Sequence, residues 1–436
     1  MKKFLYSVFM LAAVVLAACS NDDNGDTQPK RGMILNASVE NLSSRATMTD
    51  ESGTWKFAFA ANDKVSVSNN KISNYYTFTN NGSQFTCAQA EATTENADWY
   101  AYFPGNEVDL KNQTGTFADV ANKFAVAGKT AQTTTGEKGL SITLKPKVAV
   151  LRVVAVDKKG ILDIHVKTTA DDKWVKGLTA TKNAAEFTVS TSDTKTTLLH
   201  KAEGTVNAGE INYVVVPAGV KIEIYNGDLL LNKTKDAGLT AGKYYTITSG
   251  PTKGTETATL ANGTTETVEW VQLWAGGPRF ATKNVAEEMT WTDAAKTGKN
   301  YAWGEKWRTP TAAEVTEEGG LQAEWNTKEG KWVVKEGSPT INVTTKDGIE
   351  ETVEFTGVQP GYTKNTLTLY NKIDSHGYSH FNFWTTTENN GYGCMYRIMI
   401  DKGIIGIFGP SSFESKDTKC LVRPVLSIQN ITNNKK

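Results

Sequence analysis

The sequence predicts a mainly β chain: two antiparallel β-sandwiches in tandem, followed by an α+β domain. Three observations predict it. From about residue 34 to residue 250, short runs of alternating apolar and polar residues are broken by Gly, Asn and Asp, the period-2 pattern of half-buried strands. Residues 251–267 are rich in Thr and Gly and poor in core residues, as a linker is. Beyond them the composition shifts, because eight of the 11 tryptophans lie between Trp270 and Trp384, which calls for a separate aromatic core.

Residues 1–18 open with the basic MKK and continue as the apolar run FLYSVFMLAAVVLA, too short for a comfortable membrane span. The run ends in LAAC, and an acidic stretch follows it. This resembles a bacterial lipoprotein signal, in which Cys19 is acylated and becomes the mature N-terminus. The acidic tether at 19–33 resembles the surface-export signals of Bacteroidota lipoproteins. An ordinary secretory peptide with an accidental Cys is the alternative. Acylation implies the outer membrane as a partner through the lipid anchor, since two chains hold a protein stably where one is marginal.

Without Lys2 and Lys3, 45 basic residues face 47 acidic ones, so charge makes no case for nucleic acid. Cys87, Cys394 and Cys420 remain after Cys19. They cannot form a disulfide scaffold, but an oxidising compartment permits one bridge.

The first sandwich is expected over 34–130. TWKFAFAANDKVSVSNN places Trp55, Phe57 and Phe59 on one face, turns at Asn62-Asp63 and resumes with Val65 and Val67. The second is expected over 131–250, with the join near 125–140, where AGKTAQTTTGEKG lacks core residues. KVAVLRVVAV (147–156) is nearly continuously apolar, as a strand buried on both faces is. VKIEIYNGDLLL alternates up to Asn226-Gly227, a hairpin signal. No helical period of useful length occurs in this region. Cys87, in QFTCAQA, is expected to be a buried strand residue.

In order, SRATMTDESGTWKFAFAANDKVSV, ADWYAYFPGN, ITLKPKVAVLRVV, INYVVVPAG and LTAGKYYTITSG resemble the fimbrillin-like families of Bacteroidota. That resemblance covers about half the chain. It implies two transthyretin-like sandwiches, other fimbrial subunits as partners by donor-strand exchange, and trimming by an Arg-specific protease at the position matched by Arg45. A surface arginine in a flexible leader is the other reading of Arg45.

The C-terminal domain is expected over 268–431, with short helices from about Thr292 to Gly298 and from Thr311 to Gly319-Gly320. In YAWGEKWRTPTAAEV, Thr311 and Glu314 have the spacing of a capping box. Trp303 and Trp307 are expected in the core, with Arg308 and Glu314 bracing the helix. LWAGGPRFATKNVA, YAWGE, WRTPTAAE, FTGVQPGY, FWTTTENN and LVRPV resemble a C-type-lectin-like module of Bacteroidota surface proteins, the major paralogous domain related to the formylglycine-generating-enzyme fold. The resemblance implies a glycan or protein ligand. Tyr362, Tyr378, Glu388, Asn389, Asn390 and Tyr392 are the weak ligand-binding candidates, and turn packing explains them equally well.

Cys394 and Cys420 are expected to be bonded, since both flank strand-like runs of one small module; two buried thiols are the alternative. They match no copper-binding motif of the formylglycine-generating enzymes. No Glu-Pro-Asn, Gln-Pro-Asp or Trp-Asn-Asp triplet offers calcium its oxygen ligands. His376 and His380, four apart in DSHGYSH, would suit a metal only on a helix. His165 and His200 have no nucleophile pattern beside them, and no nucleophile elbow, phosphate loop or metalloprotease motif occurs. The expectation is therefore no catalytic residue, no metal and no cofactor.

The reading is a surface lipoprotein or fimbrial protein, a tip or accessory adhesin whose C-terminal domain binds a glycan or protein. The alternatives are a non-fimbrial glycan-binding lipoprotein and, disfavoured by the cysteines, an enzyme.

Overall fold

The computed structural model describes residues 31–40, 59–91, 97–132, 139–157, 160–285, 287–317, 320–326, 331–346, 350–359, 362, 364–372, 378–401 and 404–427. Cys19, Arg45, Trp55, Phe57 and His376 lie outside the described residues.

The N-terminal part follows its alternating pattern into β1 (Arg31–Val39), β2 (Lys64–Asn69), β3 (Tyr76–Asn80), β4 (Phe85–Glu91) and β5 (Ala97–Phe103). After β6 (Glu107–Asp109) and helix α1 (Phe117–Lys123) come β7 (Val126–Gln132) and β8 (Gly139–Pro146). Asn62 makes the expected turn before β2 with φ +72°. Val65 and Val67 are fully buried, and Cys87 is a buried residue of β4.

Seven strands close in the order β1-β4-β3-β2-β5-β7-β8. β1 and β8 run parallel, from Ile34 opposite Gly139 to Val39 opposite Leu144. Closure leaves this sheet no free edge. The expected sandwich of 34–130 is therefore a barrel that runs to Pro146, and its first strand begins inside the expected tether. The stretch read as a join lacks bulk because strands approach there. A Cβ at Gly128 would stand 2.3 Å from the Thr143 carbonyl oxygen. Helix α1 is only seven residues long, too short to show a 3.6-residue period.

The second unit has β9 (Val148–Val154), β10 (Leu162–Thr168), β11 (Trp174–Thr181), β12 (Glu186–Ser192) and β13 (Leu199–Lys201), then β14 (Ile211–Pro217), β15 (Ile222–Asn226), β16 (Leu229–Lys233) and β17 (Tyr244–Thr248). β9 is the central strand of a three-stranded sheet, antiparallel to β14 and parallel to β17. Of its seven residues only Arg152 is not buried, as the apolar run requires. A second sheet has the order β12-β11-β10-β15-β16, and β6 of the N-terminal part joins it by pairing with β11. The hairpin at Asn226-Gly227 forms one residue later than its dipeptide suggests: Gly227, at φ +58°, opens a two-residue loop between Asn226 and Leu229.

The two units share one apolar core that runs from Met33 to Leu239. Gln113 links them inside it. Its Nε2 donates to the Leu110 and Val215 carbonyls, both at 2.9 Å, and its Oε1 accepts from the Val215 amide at 2.7 Å.

The C-terminal domain starts earlier than its tryptophans suggest. β18 (Lys253–Thr259) and β19 (Thr265–Gln272) form an antiparallel hairpin over the residues expected as a linker. Thr is β-branched and suits a pleated surface. Here Ala258 is fully buried, and the Thr257 carbonyl accepts the Trp307 indole N–H at 3.1 Å.

There follow β20 (Arg279–Ala281), α2 (Trp291–Ala294), β21 (Trp307–Arg308), α3 (Ala312–Thr316), β22 (Ala323–Asn326), β23 (Lys331–Val334), β24 (Thr340–Lys346), β25 (Glu350–Thr356) and β26 (Thr366–Lys372). The domain ends with β27 (Tyr378–Asn389), β28 (Tyr392–Asp401), β29 (Ile404–Glu414) and β30 (Val425–Leu426). Both helices appear where expected, shorter than the sequence suggests, and α2 is capped by Thr290 rather than started at Thr292. The domain has two apolar clusters, one around Trp274, Phe280, Phe355 and Tyr396, the other around Trp270, Trp303, Trp307 and Trp384.

Candidate functional site

The capping box forms as the sequence predicts. Glu314 N donates to Thr311 Oγ1 at 3.1 Å, and Thr311 N donates to Glu314 Oε2 at 2.8 Å. Trp303 and Trp307 meet edge to face at 5.4 Å and are buried. The tryptophans and the capping box of this stretch brace the domain.

Beside it, β27 and β28 extend to an exposed tip that gathers four of the candidates. Asn390 (φ +49°) and Gly391 (φ +85°) are the two loop residues, the backbone of a type I′ turn. Glu388 pairs with Gly393 and Asn389 with Tyr392 across the strands. Glu388, Asn389 and Asn390 are exposed, and Tyr392 is 52 % exposed.

The two faces of this tip differ. On one, Trp291 packs so closely on Gly393 that a Cβ there would lie 2.4 Å from the indole. Lys416 Nζ sits 4.6 Å above the Trp291 ring and 2.7 Å from Glu388 Oε2. The Trp291 indole N–H donates to the Thr385 carbonyl at 2.9 Å. On the other face stand Asn389 and Tyr392, with Phe413 of β29 opposite Cys394. Alternate strand residues share a face, so Tyr392, Cys394 and Phe413 lie together. Phe413, 45 % exposed, escaped the sequence reading because FESKD looks like an ordinary strand end.

The remaining candidates do not belong here. Tyr362 is fully buried, with its hydroxyl 3.4 Å from Gln272 Oε1, and burial pushes its pKa up. Its ring is closed off from solvent, and the expectation that Tyr362 is a ligand-binding residue is corrected. Tyr378 lies at the far end of β27, opposite Asp401.

The expected Cys394–Cys420 bridge is not formed; both are free, buried thiols. Met395, the neighbour of Cys394, shares the apolar cluster of Cys420. Adjacent strand residues point to opposite faces, which turns Cys394 away. Burial pushes both thiols up, Cys420 to about 12.

No group of three or more metal-ligating side chains occurs among the described residues. Asp163 Oδ2 lies 2.9 Å from His165 Nε2, and Asp163 Oδ1 lies 3.4 Å from His200 Nδ1. His165 Nδ1 is 2.8 Å from the Thr196 carbonyl, so this cluster ties a loop to β10.

Two features surround the domain junction. Among the described strands, β16 and β17 are the last of their sheets. A groove of about 360 Å³ between them is lined by Leu229, Leu230, Leu231, Thr246, Ile247 and Pro251, among others. The junction itself is closely bonded. The Val156 carbonyl accepts from Gly276 N at 2.7 Å and Gln272 Nε2 at 3.1 Å, and Arg279 Nη2 meets Asp157 Oδ1 at 3.1 Å.

No protein-family model matches the chain, and no curated protein matches it. Solved structures do. A candidate cell adhesion protein of Bacteroides ovatus aligns at 11 % identity and TM-score 0.32, over 56 % of this chain and 96 % of that one. A second, from Bacteroides uniformis, aligns at 13 % and TM-score 0.31, over 55 % and 96 %. A fimbrial protein of Bacteroides ovatus aligns at 11 % and TM-score 0.25, over 92 % of this chain and all of that one (100 %). At such identities and scores the likeness does not reach to function.

Proposed function

We propose that this chain is a cell-surface adhesion protein of the fimbrial kind, non-enzymatic, with its C-terminal domain as the recognition end. The carrying observation is the continuity of β17 into β18. Only residues 249–252 separate them, so the last strand of the second unit is capped by a folded domain and cannot thread into a neighbour. A subunit that cannot pass its final strand onward ends a fibre instead of extending it. Trimming after Arg45 would remove β1, the strand between β4 and β8, and the main-chain groups it leaves unpaired there suit an added strand, the acceptor half of donor-strand exchange. Acylation at Cys19 and trimming after Arg45 belong to the same proposal.

The tip position has a direct test. Immunogold against the C-terminal domain should mark fibre ends. Label spaced along the shaft, or confined to the cell surface with no fibres, overturns it. Terminal sequencing of surface-extracted protein should find Ala46 first in assembled fibres; Cys19 first in those fibres removes the trimming step.

A further inference from the structure

We infer that the free edge of β17 takes up an extended strand of another polypeptide, one that carries a carboxylate on one face and aliphatic side chains on the other. This partner is distinct from a strand that would fill the place of β1, because the β17 edge is open while β1 is in place.

Main-chain bonding leaves β17 ready for pairing. Val150 N donates to the Lys243 carbonyl at 3.0 Å, and Ser249 N to the Val154 carbonyl at 2.9 Å. In a parallel ladder this phase turns the amides and carbonyls of Tyr245 and Ile247 towards β9, and those of Tyr244, Thr246 and Thr248 away from it. The strand has no charged residue and no register shift. β16, across the groove, is blunted: its register shifts between Leu230 and Asn232, and it ends in Lys233. A bulge and a lysine keep an edge from pairing, so the added strand joins β17 and only packs against β16.

Each face of that strand meets a different surface. On one lies the groove, where Ile247 stands with Leu229, Leu230 and Leu231. Leu229 and Leu230 are 46 % and 48 % exposed, and aliphatic side chains would cover them. On the other lies Arg152. It stands opposite Thr246 in the ladder, and its guanidinium carbon is 5.2 Å from the Tyr244 ring centroid, so the side chain crosses over β17 towards the edge. Its Nε is buried without a hydrogen-bond partner, and it forms no ion pair among the described residues.

The charges around the groove select an anion. Asp228 and Asp236, before and after β16, and Glu223 of β15 are each matched, by Lys195, Lys221 and Lys233. Arg152 has no such match, Lys243 precedes β17, and Lys253 lines the groove beyond it. A carboxylate over Arg152 would make a charge-assisted bond and satisfy a buried donor. A basic strand would meet only uncompensated cations.

The test uses the full chain with Arg45→Ala, which keeps β1 attached, and short labelled peptides of alternating residues. By fluorescence anisotropy a glutamate–valine peptide should bind and a lysine–valine peptide should not. Thr246→Pro removes an amide that points away from β9, a position where an edge strand tolerates proline, and should weaken binding roughly tenfold. Leu230→Ser, at an exposed position, should weaken it as well. The parent should prefer the glutamate–valine peptide to a glutamine–valine one by roughly tenfold. Arg152→Ala should erase that preference, and Arg152→Lys should keep part of it. Unchanged thermal midpoints will show that the variants fold. A glutamate–valine peptide that does not bind, binding indifferent to both Thr246→Pro and Leu230→Ser, or a preference that survives Arg152→Ala overturns the inference. So does binding that appears only in chain cut after Arg45, since that points to the place of β1.

Discussion

Arg308 and Glu314 form a two-pronged ion pair. Arg308 Nη1 donates to Glu314 Oε2 at 2.8 Å, and Nη2 donates to Oε1. The same Oε2 accepts the Thr311 amide, so one carboxylate fastens β21 to the start of α3. Removing it with Glu314→Ala breaks the cap and leaves a half-buried guanidinium without its partner. The expected cost is about 1–3 kcal/mol, read as a lower midpoint in chemical denaturation. Glu314→Gln should cost less, because it keeps an acceptor for the cap.

The same carboxylate predicts an acid dependence. Burial alone would raise its pKa, but the bonds from Arg308 and Thr311 outweigh burial and hold it below the usual range. A group with a depressed folded pKa adds stability above its unfolded pKa of about 4.3, and loses it as the pH falls through the lower folded value. Denaturation at pH 7 and at pH 3 should therefore show a smaller acid-induced loss in Glu314→Gln than in the parent. Equal losses would remove Glu314 from the acid response.

Gly393→Ala should destabilise the hairpin tip by about 1–3 kcal/mol, since the added methyl meets the Trp291 ring and overpacking is costly. Trp291→Leu in the same chain should recover part of the loss. Two additive destabilisations would contradict the contact.

Both C-terminal cysteines are expected to resist alkylation in the folded protein and to react fully once it is unfolded. A thiol pushed up to about 12 carries almost no thiolate at pH 8. A non-reduced digest should contain no Cys394–Cys420 peptide pair; finding one would show that the strand between them can turn over.

Trp307→Phe keeps most of the buried ring but removes the indole donor to the Thr257 carbonyl. The lost bond should cost about 1–3 kcal/mol. Hydrogen exchange should quicken first in β18, the strand that bond holds.

What the sequence made legible was local or compositional. The capping box needs only Thr311 and Glu314, and the buried tryptophans follow from their number. The turn at Asn62-Asp63 belongs to a dipeptide. Distant partners decided the rest. Tyr362 reads as a loop aromatic until Gln272 is folded against it. β18 reads as linker until Trp303 and Trp307 cover it, and the barrel depends on β1 meeting β8 across more than half of a domain's sequence. Cys394 was misread by one position in a strand, since its neighbour holds the face that meets Cys420. Phe413 joined the site only through its register with β28.

The parallel pairing of β9 and β17 has a mechanical consequence. Tension from the N-terminal side reaches the pair at Val148, the start of β9, and tension from the C-terminal side reaches it at Thr248, the end of β17. Loads on opposite ends of parallel strands act along the ladder, not across it. The register from Tyr244–Val150 to Thr248–Val154 must then slip as a whole and cannot peel one bond at a time. Forced unfolding is a matter of rate, and simultaneous rupture makes that rate slow. A protein anchored at one end and pulled at the other would yield elsewhere before it parted at this joint.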